Sequence, residues 1–193
     1  MRRVGIMRHS RPGARTVTGM RRVLVAVLVV ACLSSTAGCG SAVAPRTWVS
    51  SVCQSLQPWR AAISNLNTTA QTQMASAKTP ADTRTHVLAL LNGARAASEK
   101  ARTDIAAAGA PDVNHGADIE KRFVASLAAV RDAYGRAAVT VRTLPADNAS
   151  TFYDGIRVAL ARLTTDYNQA GADPSKIAST ELQADFGQVA ACS

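Results

Sequence analysis

No stretch of this sequence alternates apolar and polar residues with period two, so no strand is predicted and sheet-based folds are excluded. The motifs of several enzyme classes are also missing. There is no Gly-x-Ser-x-Gly elbow, no phosphate-cradling glycine loop, no zinc-protease histidine pair and no paired Glu-x-x-His of the di-metal bundles. Neither an enzymatic activity nor a cofactor is therefore expected. Aromatic residues are few, eight in 193, and none precedes Trp48. Acids are missing altogether from residues 1–38, which hold seven arginines. Most of the net charge of +9 thus sits in that segment, and the remainder has 15 bases against 13 acids. With no basic stripe beyond residue 38, nucleic acid is not an expected partner.

What the first segment does contain is an address. Arg21 and Arg22 precede the uncharged apolar run Val23 to Leu33, and the small residues Ser34 to Gly38 lead to Cys39. A bilayer-crossing helix needs ~20 apolar residues, so this shorter run reads as the core of a removable export signal. Thr36-Ala37-Gly38-Cys39 has the form of a lipobox, which makes residues 1–38 a cleaved signal peptide and Cys39 the site of a diacylglyceryl thioether. Cys32 fits a looser lipobox, but cutting there would leave three cysteines in an oxidising compartment. Met20 is an alternative start, and the paired arginines leave both the general and the twin-arginine export routes open. Residues 39–46 form a lipidated tether. Gly40 to Arg46, at ~3.5 Å per residue, would hold the domain within about 25 Å of the membrane.

Residues 47–193 carry helical periodicity throughout. From Thr47, Val49, Val52, Leu56, Trp59, Ile63 and Leu66 step by three and four, the pattern of one buried stripe running on toward Ala77. Pro58 lies inside that stretch and predicts a kink or a split. Thr79, Pro80 and Asp82 mark the start of a second helix, with Val87, Leu90, Ala94, Ala97, Ala101, Ile105 and Ala108 on one face and Gly109-Ala110-Pro111 as its stop. A third begins near Gly116 with Ile119, Phe123, Leu127, Val130, Tyr134, Ala137 and Val141 and ends before Pro145. A fourth follows Ser150 with Phe152, Ile156, Leu160, Leu163 and Tyr167. A short final helix opens at Thr180 with a Thr180–Gln183 capping box and buries Leu182, Phe186 and Val189. The predicted fold is all-α, an antiparallel up-down four-helix bundle with a short C-terminal helix, because the connections are too short for parallel returns.

Several residues carry sharper expectations. Lipidation removes Cys39, which leaves Cys53 and Cys192 to form a disulfide tying the C-terminus to the first helix. Gly93, Gly135 and Gly155 lie inside helices and mark close helix crossings. Pairs four apart, Arg95–Glu99, Lys100–Asp104, Asp118–Arg122 and Arg162–Asp166, predict ordinary ion pairs on solvated faces. Asp112, His115 and Asp118 have a spacing that could suit a metal, but acids at a helix start explain them without one, and no metal is expected.

Trp-Val-x-x-Val-Cys-x-x-Leu-x-x-Trp at Trp48 to Trp59, Gly-Ala-Pro-Asp-Val-x-x-Gly at Gly109 to Gly116, and Leu-x-x-x-Phe-x-x-x-x-x-Cys at Leu182 to Cys192 give the chain a family likeness. With its lipobox cysteine it resembles the small secreted lipoproteins of actinobacteria, including mycobacteria, and the alanine and arginine bias suits a GC-rich genome. That resemblance implies location and a helical fold; it brings no activity with it. The β-rich lipid-carrier lipoproteins of mycobacteria are different throughout.

These observations together predict an exported binding or accessory protein, lipid-anchored to the outer face of the cell membrane, with an envelope protein as partner. The alternative is a carrier or sensor of a small apolar ligand, held between the alanine-rich face of the second helix and Trp59, Phe123, Tyr134 and Phe152. Cys39→Ala is expected to move the protein from the membrane fraction to a soluble or uncleaved form. Release by Cys32→Ala instead would shift the site to Cys32.

Overall fold

The computed structural model describes residues 42–171 and 179–192, so the signal segment and Cys39 lie outside the described residues. Five α-helices follow in order: α1 Pro45–Ser76, α2 Pro80–Ala107, α3 Gly116–Thr143, α4 Ala149–Gln169 and α5 Thr180–Gln188, then a 3-10 turn at Ala190–Cys192. The chain is all-α. Its β-type pairing among the described residues is an isolated parallel bridge between Val43 and Pro111.

Helix α1 runs unbroken through Pro58, where the sequence predicted a kink or a split. The carbonyl that Pro58 cannot bond belongs to Gln54, and both residues are exposed, so water can satisfy it. Pro45 occupies the first turn, where a missing N–H costs nothing. The first half of α1 buries Trp48, Val49, Val52, Cys53, Leu56 and Trp59. Its second half offers only half-buried side chains, among them Ile63, Leu66 and Met74.

Helix α2 opens with the capping box that Thr79 and Asp82 predicted. The Thr79 hydroxyl accepts the Asp82 N–H at 3.1 Å, and the Asp82 carboxylate accepts the Thr79 N–H at 3.1 Å. The hydrogen bond with Thr79 is the chief reason that the Asp82 carboxyl lies below its ordinary pKa. The buried stripe of α2 is Thr83, Val87, Leu91, Ala94, Ser98, Ala101 and Ile105, with Leu90 and Ala97 only half-buried beside it. The stripe is displaced from the predicted one because α2 packs against both α1 and α3, so a polar Ser98 can sit in the interior. There it accepts the Trp59 indole N–H at 3.1 Å and donates to the Ala94 carbonyl at 2.8 Å.

Neighbouring helices touch in opposite senses. Between α1 and α2, Trp48 meets Gly109, Trp59 meets Ser98, and Leu66 lies against Gly93. Between α2 and α3, Gly135 faces the Arg95 side chain and Glu99 meets Arg131. Between α3 and α4, Leu144 covers Gly155, Arg136 meets Asp166, and the rings of Tyr134 and Tyr167 lie 6.4 Å apart. The α2–α3 contact is the most extensive, and α4 is the least embedded of the four long helices, burying only Phe152, Ile156 and Ala159. Arg84 of α2 closes the α3–α4 corner: its guanidinium lies 5.4 Å from the Phe152 ring centroid and donates to the Leu144 carbonyl.

Two local expectations change. Helix α5 is capped by Ser179, whose hydroxyl accepts the Leu182 N–H at 3.4 Å, so the predicted box at Thr180 and Gln183 does not form. Of the predicted ion pairs, Lys100–Asp104 forms at 2.6 Å. Glu99 instead takes Arg102 and Arg131, each at 2.7 Å, Asp166 takes Arg136 at 2.8 Å, and Asp118 lies 3.8 Å from His115. The helix faces chosen from spacing alone ignored partners on the next helix, which an antiparallel register brings within reach.

Gly93 and Gly155 are close crossings as predicted, but the tightest glycine is Gly116. A Cβ there would lie 1.9 Å from the Pro111 carbonyl oxygen, whereas at Gly93 it would meet only the methyl tips of Leu66, at 2.7 Å. Gly116→Ala is therefore expected to destabilise the domain by about 1–3 kcal/mol through backbone displacement. At Gly93 the Leu66 tip can rotate while alanine gains about 1 kcal/mol of helix preference, so Gly93→Ala should change stability by less than Gly116→Ala. Urea unfolding of the two variants measures the difference.

Candidate functional site

The residues singled out in the sequence are placed in separate parts of the molecule. Cys53, buried on α1, is bonded to Cys192 with Cα atoms 5.0 Å apart, which fixes the 3-10 turn and α5 against α1. Trp59 is on the α1–α2 seam, bonded to Ser98. Phe123, near the start of α3, lies between Trp48 and Phe186 at centroid distances of 5.4 and 6.4 Å. Tyr134 is paired with Tyr167, and Phe152, at the opposite end of α3 and α4, with Tyr153 at 5.4 Å. The ring contacts of these four aromatics thus lead to other partners and not to one another.

A cleft of about 260 Å³ opens beside Trp59, between Ser55, Pro58 and Ala62 of α1 and Ala97 and Ala101 of α2. It reaches the alanine-rich half of α2, but of the four aromatics only Trp59 lines it. A larger groove of about 510 Å³ runs along the outer seam of α3 and α4. Ala133, Ala137 and Ala159, all buried, form its floor. Val139 and Val158 stand on its flanks, 57% and 66% exposed. Arg136 and Asp166 cross it as an ion pair, and Arg162 lies four residues before Asp166 on the same helix.

The local sequence explains the groove. Along α3 the buried stripe Val130, Tyr134, Ala137 and Val141 leaves Val139 on the far side. Along α4, Phe152, Ile156 and Ala159 likewise leave Val158 outside. Small side chains at 133, 137 and 159 bring the helices together with little between them, leaving a trough between two ridges, the surface into which a helix ridge packs. Sequence reasoning missed this site. The signal available was the presence of valines off the stripe on two consecutive helices.

The groups whose titration is displaced are buried phenols or members of hydrogen-bonded pairs. Burial pushes the Tyr134 phenol up to about 12, with Tyr167 adding to the effect, and burial raises Tyr167 as well. Neither can serve as a base near neutrality. Hydrogen bonds from Arg102 and then Arg131 hold Glu99 down at about 2. At the start of α3, His115 has a left-handed backbone, φ 60°, and lies exposed beside Asp118. No three His, Cys, Asp or Glu side chains converge among the described residues.

Comparison with protein-family models, curated proteins and solved structures finds no match to this chain. What the site can do therefore follows from its own shape: a concave, mostly apolar trough with charges of both signs at its edge can bind a surface.

The disulfide governs how firmly the C-terminal end is held, since α5 and the turn after it pack chiefly on α1. Replacing both Cys53 and Cys192 by alanine is expected to cost about 2–5 kcal/mol, with amide protection lost first in residues 180–192. Hydrogen exchange with mass readout checks both the cost and its location.

Proposed function

We propose that this protein is an exported accessory lipoprotein of the cell envelope, carried to the membrane by the signal in residues 1–38 and held there by a lipid on Cys39. It binds a partner protein through the α3–α4 groove. In this reading the chain is a small secreted lipoprotein of actinobacterial type, without enzymatic function or cofactor. The domain is an up-down four-helix arrangement, with α4 covering α3 and only loosely completing the bundle. The observation that carries the proposal is the pair of exposed valines, Val139 and Val158, flanking a floor of buried alanines. Scattered single apolar residues are ordinary on a surface; two on adjacent helices beside one trough form a patch that a partner can cover.

A second reading, a carrier of a small apolar ligand, is supported by the Trp59 cleft beside the alanines of α2. Its volume of about 260 Å³ is below the ~300–1,000 Å³ usual for ligand pockets, so the groove is favoured.

A photo-crosslinking residue at position 158, in cells producing the full chain, should give a discrete protein adduct that a probe at exposed Thr103 of α2 does not. Val139→Glu should reduce that adduct at least about tenfold, the effect of about 1.4 kcal/mol or more from a charge placed in an apolar contact. Identical adduct patterns at 158 and 103 would refute the groove as the binding surface. A radiolabelled apolar lipid retained by the purified domain and lost in Trp59→Ala would favour the carrier.

A further inference from the structure

We infer that the chain between Cys39 and Val43 is a leash short enough to fix which end of the domain faces the bilayer: the α2–α3 connection lies toward the lipid, and the α3–α4 groove is held away from it. The inference rests on the lipid at Cys39 proposed above.

Seven residues of tether, Gly40 to Arg46, would let the domain turn freely. The structure shortens that tether. Val43 is already part of the folded domain: its N–H donates to the Ala110 carbonyl at 2.8 Å, and its carbonyl accepts the Asp112 N–H at 2.7 Å. Its side chain packs on the core and lies 3.6 Å from where a Cβ on Gly109 would be. Only Gly40, Ser41 and Ala42 separate this pinned residue from Cys39. Four steps of ~3.5 Å let the lipidated cysteine stand at most about 14 Å from Val43.

Helix α3 starts beside this pin and has 28 residues, so at ~1.5 Å per residue its far end is about 42 Å away. An inverted pose, with the α3–α4 connection on the lipid, would need a leash about three times longer. A pose lying on the groove is disfavoured by shape, because a flat bilayer cannot fill a trough whose floor is Ala133, Ala137 and Ala159. The pinned end presents exposed polar residues, Asp112, Asn114, His115 and Lys121 among them, and the exposed large apolar side chains Val139, Tyr153 and Val158 lie at the other end. The pinned end therefore rests against headgroups without inserting. The groove segment Ala133 to Thr140 begins 17 residues beyond Gly116, which at ~1.5 Å per residue places it about 25–35 Å along the helix. The partner is accordingly an extramembrane domain, not a lipid or a membrane-spanning segment.

The test uses the full lipidated protein in phosphatidylglycerol and phosphatidylethanolamine vesicles with an acceptor dye on the headgroups. A donor is attached at Lys121→Cys or at Asp147→Cys, both exposed positions. Energy transfer should be several-fold greater from position 121, and an insertion of about fifteen Gly and Ser residues between Ser41 and Ala42 should reduce that difference. Equal transfer from the two sites, greater transfer from position 147, or a difference untouched by the insertion would overturn the orientation. Vesicle binding that survives Cys39→Ala, or absence of binding by the unmodified protein, would overturn the anchoring instead, so the two failures are distinct.

Discussion

The molecule depends on a close approach of backbone to backbone at the α2–α3 connection. Gly109, with φ 73°, ends α2 in a left-handed turn, and Pro111 then lays its carbonyl where a side chain on Gly116 would have to be. A bare Cα at 116 lets α3 start immediately under that carbonyl. The same connection receives two further elements. Trp48 of α1 donates its indole N–H to the Gly109 carbonyl at 2.7 Å, and Val43 bridges Pro111. Three helices and the segment leading out of the domain are thus referred to one short stretch, 109–116. From there the antiparallel course of α1, α2 and α3 follows, because α1 and α3 run away from this stretch while α2 runs into it.

Much of this was legible. Helix number and type came from three-and-four spacing; the α2 cap came from Thr79, Pro80 and Asp82; the cysteine pairing came from asking which thiols a lipoprotein would leave free. These are local or arithmetical signals and need no knowledge of neighbours. The failures share one cause. Pro58 was judged by its missing N–H, but whether a helix breaks there depends on whether the orphaned Gln54 carbonyl can be hydrated, which is a matter of exposure. Glu99 and Asp166 were each assigned a partner four residues away, while Arg131 and Arg136 of the adjacent helix reach them, Glu99 also keeping Arg102 three residues on. Gly116 looked like an ordinary helix start, and only the path of Pro111 shows why it has no side chain.

The groove was illegible for the same reason. Val139 and Val158, each taken alone, are the scattered surface residues that every soluble domain carries. They become a site only through the register in which α4 lies on α3, and that register is set by Leu144 over Gly155 at one end and Tyr134 against Tyr167 at the other. The weak embedding of α4 is the other half of the explanation. With three buried residues it covers one side of α3 and leaves a seam that no further helix among those described fills. A gap of this kind inside the core would be costly; on the outer face it costs little, and in the proposed reading a partner fills it.

Two exposed valines and an alanine floor cannot hold a partner tightly by themselves. Full burial of a valine is worth roughly 1.5–3 kcal/mol, and association must first overcome several kcal/mol of lost translational and rotational freedom. The charges at the rim do not change that balance, since Asp166 is already taken by Arg136 and an exposed pair contributes about 0–1 kcal/mol. In the proposed reading they supply orientation, with Arg162 at the groove placed to meet an acid on the partner. Affinity would have to come from confinement. In the proposed reading the lipid on Cys39 holds the domain at the membrane surface in a fixed aspect. A partner in the same membrane then meets the groove at an effective concentration set by the leash and the height of the bundle, not by bulk solution. In that reading a shallow apolar groove and a short lipid leash are complementary parts of one device, because either alone would leave the encounter too brief.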